Sequence, residues 1–149
     1  MGQQQLLLLV LGIVIVGLAV VVGIQAFGEN QKKANADALV NDGVRIASDA
    51  QAWNLKPAAF GGGAGKDLSA LAASTESFTA LGYDEDANQK YDNLNGQFAL
   101  AASGTGILIT ANTDSTANPL NTVYVRVCGT DPEDITTQIN TASAPGNCS

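Results

Sequence analysis

Nineteen consecutive residues, Leu6 to Ile24, carry no charge, hydroxyl or amide, and only Gln3, Gln4 and Gln5 stand between them and Met1-Gly2. As a helix the run is about 28 Å long, close to the hydrocarbon thickness of a bilayer. A soluble helix apolar on every side needs apolar neighbours all round. The remaining chain, about 125 residues and largely polar, is too small to supply them. A cleavable secretory signal has a basic start and a shorter apolar stretch, roughly 7 to 15 residues, and neither is present. The run therefore reads as a membrane-length helix. Cytoplasmic flanks of such helices normally carry Lys or Arg, yet no basic residue precedes Lys32. The expectation that follows is a basic leader already removed.

Beyond the run the pattern changes without a break. Ala36, Leu39, Val40, Gly43, Ile46, Ala47, Ala50 and Trp53 recur three or four apart, while Asp37, Asp42, Arg45 and Asp49 take other faces. That is the spacing of an amphipathic helix. With no proline before Pro57, one continuous helix is expected over about residues 2–54. It divides into an apolar part, 1–28, and an amphipathic part, 29–54. Gly12, Gly17, Gly23, Gly28 and Gly43 are its soft points, with local unwinding expected between Gly12 and Gly23. Their spacings of five and six do not repeat one face, so they do not form a small-residue dimer motif.

Pro57 and the glycines at 61, 62, 63 and 65 end the helix in a loop. DLSALAASTESF, from Asp67, reads as one short helix capped by Asp67 or Ser69, and the rest of 55–95 as loop. Three β-branched or aromatic runs, 96–103, 106–113 and 122–129, read as strands. Gly104-Thr105 between the first two favours an antiparallel hairpin, and DSTANPLN with Pro119 is a longer loop. DPEDITTQI, from Asp131, reads as a capped helical turn or loop. The fold class is α+β: a long N-terminal helix on a small antiparallel sheet, the head occupying 55–149.

Composition removes several functions. The chain has no histidine, the usual neutral-pH acid/base and zinc ligand, so neither an enzyme nor a cofactor or metal site is expected. Fourteen acidic residues against seven basic ones leave no basic stripe for a phosphate backbone, and direct nucleic-acid binding is disfavoured. Asp84, Asp86 and Asn88 alternate like the start of a calcium loop, but Gln89 and Asn95 stand where Gly and Glu are required. Cys128 and Cys148, an even count behind an export-type N-terminus, are expected to form a disulfide that pins the C-terminal tail over 128–148.

An apolar membrane-length N-terminus running directly into an amphipathic helix, then a loop, an antiparallel sheet and a late cysteine pair, resembles the type IV pilins. The resemblance in architecture covers the whole chain; its sequence-specific part is the first 30 or so residues and the cysteines. It implies a leader cut by a prepilin peptidase and a methylated amine on Met1. It also implies subunits held in the inner membrane before assembly, extracted by dedicated machinery, and polymerised through their apolar helices into a cell-surface filament; related filaments serve adhesion, motility, DNA uptake or electron transfer, and the resemblance does not choose among these roles. The partners implied are copies of the chain itself.

Position five departs from the family pattern, which has a glutamate there facing the methylated amine of a neighbour; here it is Gln5. A neutral amide avoids the cost of burying an unpaired carboxylate and still accepts a hydrogen bond from that amine. The family's proline near residue 22 is replaced by Val22 and Gly23. Other readings remain open: a minor pilin or secretion-system pseudopilin, an archaeal pilin with more strands than the three counted, or an unrelated signal-anchored periplasmic domain.

Overall fold

The computed structural model describes residues 2–113 and 121–149. Met1 and the segment 114–120, with the Pro119 loop, lie outside the described residues. The chain divides into two compact units, Met1–Ala34 and Asn35–Ser149.

Helix α1 runs unbroken from Gly2 to Leu55. Gly12, Gly17 and Gly23 are helical like their neighbours in this structure. In the first unit the apolar side chains point outward on all sides: Leu6, Ile15 and Ile24 are 66%, 58% and 68% exposed. Many are β-branched (Val10, Ile13 to Val16, Val20 to Val22, Ile24), and in water such residues weaken a helix. In an apolar phase main-chain groups have no solvent to bond, and the helix is the state that satisfies them.

In the second unit the remainder of α1 is half-covered. Ala36, Leu39, Gly43, Ile46, Ala47 and Ala50 are buried, and Val40 and Trp53 pack beside them. The expected stripe is thus the observed one. A Cβ on Gly43 would meet Val125 Cγ2 at 2.8 Å. This glycine is therefore no soft point: it lets the helix lie close on the sheet.

Among the described residues the sheet has five antiparallel strands in sequence order, β1 (Lys90–Asp92), β2 (Gln97–Ser103), β3 (Gly106–Asn112), β4 (Thr122–Val127) and β5 (Ile135–Ile139). The three strands expected are β2, β3 and β4. β1 and β5 are additions. Alternation puts Phe98, Ile107, Ile109, Ala111, Val123, Val125 and Val127 on one buried face. Registers Ile107↔Val127, Ile109↔Val125 and Ala111↔Val123 stack them in cross-strand pairs. The β2–β3 turn is Gly104-Thr105 as expected, with Gly104 at φ 63°.

Between α1 and β1 lie a 3-10 turn (Ala58–Phe60) and two short helices, α2 (Ser69–Ala72) and α3 (Ser77–Leu81), where one helix was expected. Neither Asp67 nor Ser69 caps α2: its N-cap is Leu68, without a side-chain bond. The Pro132–Asp134 turn forms as read, closed by reciprocal bonds between Asp131 and Asp134. The chain then continues directly into β5.

Candidate assembly surface

The first unit presents an apolar helical surface that no other described residue covers. Its only charged residues are Glu29, Lys32 and Lys33, at its C-terminal end. Gln5 lies in the first turns of α1 and is exposed, like Leu6 to Leu9 after it. By length and composition α1 is long and apolar enough to cross a membrane, and its most apolar window is wholly unburied.

In the second unit polar side chains fasten α1 to the head; the sequence pattern set Asp42 on another face and gave the others no role. Asn35 donates to the Asn95 carbonyl at 3.1 Å, and its own Oδ1 accepts from Thr113 (3.1 Å) and Asn121 (3.2 Å). About two turns on, Asp42 Oδ2 accepts from Asn93 (2.9 Å) and Asn95 (2.7 Å). Further along, Gln51 donates to the carbonyls of Gly129 (2.8 Å) and Asp131 (2.9 Å), and Asn54 to that of Lys66. Asn35, Asp42, Gln51 and Asn54 flank the apolar stripe. Their signal in the sequence was polarity beside a buried face, which solvated residues give equally.

Tyr83 donates to Asp49 Oδ2 and sits among aromatic rings, 4.8 Å from Tyr91 and 6.5 Å from Phe78 by ring centroids. Burial, then the bond to Asp49, push its hydroxyl up to about 12. Phe98 completes the group at 5.9 Å from Tyr91. The loop carrying Asp84, Asp86 and Asn88 is a hydrogen-bonded turn. Asp86 Oδ1 accepts from the main-chain N–H of Asn88 and Lys90, both at 2.8 Å. The Lys90 N–H above all, with Asn88, holds the Asp86 carboxyl below its usual range. Among the described residues no three His, Cys, Asp or Glu side chains converge to hold a metal ion.

Cys128 and Cys148 form the expected disulfide, with a Cα–Cα distance of 5.3 Å. The tail is further held by the Cys148 N–H on the Ser103 carbonyl (3.2 Å) and by Arg126 Nη1 on the Gly146 carbonyl (2.6 Å). The residues singled out in the sequence fall into two groups. Gln5, Gly12, Gly17 and Gly23 share the exposed helix of the first unit, and Cys128 and Cys148 close the second; Met1 lies outside the described residues. No family model, curated protein or solved structure matches the chain.

Proposed function

We propose that this chain is the structural subunit of a type IV pilus-like surface filament, polymerising through its N-terminal helix. The observation that carries the reading is the exposed apolar surface of Leu6–Ile24, on a helix whose later turns are built into a disulfide-closed α+β head. A surface of this size needs an apolar environment. Lipid provides one before assembly, and neighbouring copies of the same helix provide another afterwards.

The mechanism follows from that exchange. Moving the stripe from lipid into protein leaves its burial unchanged, so close packing rather than a new hydrophobic gain must select the polymer. A single heterologous contact, repeated with a constant rotation and rise, gives a helical fibre. Gln5 acts in this scheme as a neutral acceptor near the N-terminal amine of an adjacent copy. A net charge of −7 keeps the heads soluble and mutually repelling. The role is structural rather than catalytic, and the filament lies at the cell surface after subunits leave the inner membrane.

The test is electron microscopy of material sheared from cells, with antibody raised against the head. Long, regularly decorated filaments support the reading. A chain found only as a monomer in the membrane fraction contradicts it, and favours a signal-anchored domain.

A further inference from the structure

The two edges of the sheet differ. β1 is three residues long with a charge at each end, Lys90 and Asp92, and short charged edges resist further pairing. β5 is the other edge, with the sequence Ile-Thr-Thr-Gln-Ile, which has no charge and no proline. Its bonds to β4 fix which groups remain free. The Cys128 N–H donates to Asp134 (3.1 Å) and the Asn140 N–H to Thr122 (2.7 Å), at the two ends of the pairing. In an antiparallel ladder alternate residues face the partner. Thr136 and Gln138 therefore bond β4, while Ile135, Thr137 and Ile139 turn their N–H and C=O groups away from it. Among the described residues nothing in the protein bonds those outward groups. Thr137 and Ile139 are exposed, Ile139 by 45%.

We propose that β5 pairs antiparallel with β5 of a second copy of this chain, centred on Thr137. The register is self-complementary. Thr137 lies opposite Thr137, and Ile135 opposite Ile139 of the other copy, so every outward-facing residue enters a hydrogen-bonded pair. The paired isoleucines lie on the face that Val127 and Val123 occupy in β4, since Ile135 is in register with Val127 and Ile139 with Val123. The apolar ladder thus continues across the junction. Charge permits the contact although the chain carries −7. Asp134 falls opposite Asn140 and Glu133 opposite Thr141, so no two carboxylates face each other. A twofold contact of this kind closes at two copies. It differs from the repeated contact of a filament and stands or falls independently of it.

Thiol cross-linking of the full chain in detergent micelles tests the pairing, because both native cysteines are held in the disulfide and only an introduced thiol reacts. With a short bis-maleimide, Thr137→Cys should give a covalent dimer about tenfold more abundant than Ala101→Cys, a control at an exposed position on β2. Chains carrying Ile135→Cys and Ile139→Cys should cross-link when mixed, and far less when either is alone. Adding Thr137→Lys to both should lower that product about fivefold, equivalent to about 1 kcal/mol from the opposed charges. Equal cross-linking at Thr137 and Ala101, or at Ile135 and Ile139 without mixing, would overturn the pairing.

Discussion

Gly43 shows how one missing methyl group sets the fit of a helix on a sheet. Gly43→Ala improves helix propensity by about 1 kcal/mol, but its Cβ would press on Val125 at 2.8 Å, and such overpacking costs about 1–3 kcal/mol. The second term wins. Gly43→Ala should lower the unfolding midpoint followed through the fluorescence of Trp53, the only tryptophan, whereas Gly28→Ala, which gains helix propensity with open space around it, should not lower that midpoint. Tyr83 gives a pH signature. Its hydroxyl rises from 10.0 to about 12 in the fold, so the folded state holds this proton more tightly than the unfolded chain does. The resulting stability is complete below about pH 10 and lost as pH climbs toward 12. Tyr83→Phe should flatten that part of the curve of melting temperature against pH, relative to the parent protein. At Gln5, introducing the carboxylate that type IV pilins carry at this position, by Gln5→Glu, should preserve the proposed filament assembly, read from the yield of sheared fibres; their disappearance would mean that the N-termini pack by another arrangement.

At the scale of elements, legibility followed the strength of the periodic signal. α1 was readable to within a residue, because the apolar run and the three-to-four spacing from Ala36 to Trp53 each extend over many turns. β2, β3 and β4 were readable because each alternates or runs apolar for six or seven residues. β1 was not: three residues, KYD, give no period at all. β5 was hidden by its neighbour, since the capped turn at Asp131 was recognised and the following Ile-Thr-Thr-Gln-Ile was absorbed into it. Ile135 and Ile139, spaced to share a strand face, were the signal that could have separated them. The polar fastening of α1 through Asn35, Asp42 and Gln51 was illegible for a different reason: a partner's position decides whether an amide is solvated or bonded, and those partners lie tens of residues away. The cysteine pair was legible by count and context. Replacing Cys128 and Cys148 together with serine opens a loop with a sequence separation of 20, and the chain-entropy model puts the loss at about 3 kcal/mol. The paired variant should melt at lower temperature and lose residues 141–149 to limited proteolysis sooner than the parent protein.

For the whole molecule, the decisive feature is an apolar surface that no part of the described chain covers. Leu6–Ile24 lies on one continuous helix with the stripe from Ala36 to Ala50, and of the two only that stripe is buried. Lipid and protein are both suitable surroundings for such a surface, and a filament subunit uses them in turn. The acidic head is suited to water throughout. A helical reconstruction of sheared filaments by electron microscopy bears on this claim most directly. If the proposed function holds, the core is built from Leu6–Ile24 of successive subunits, packed side by side, with the sheet of each head facing solvent. A fibre whose core is formed by the heads, with the Leu6–Ile24 helices outside it, would contradict the account.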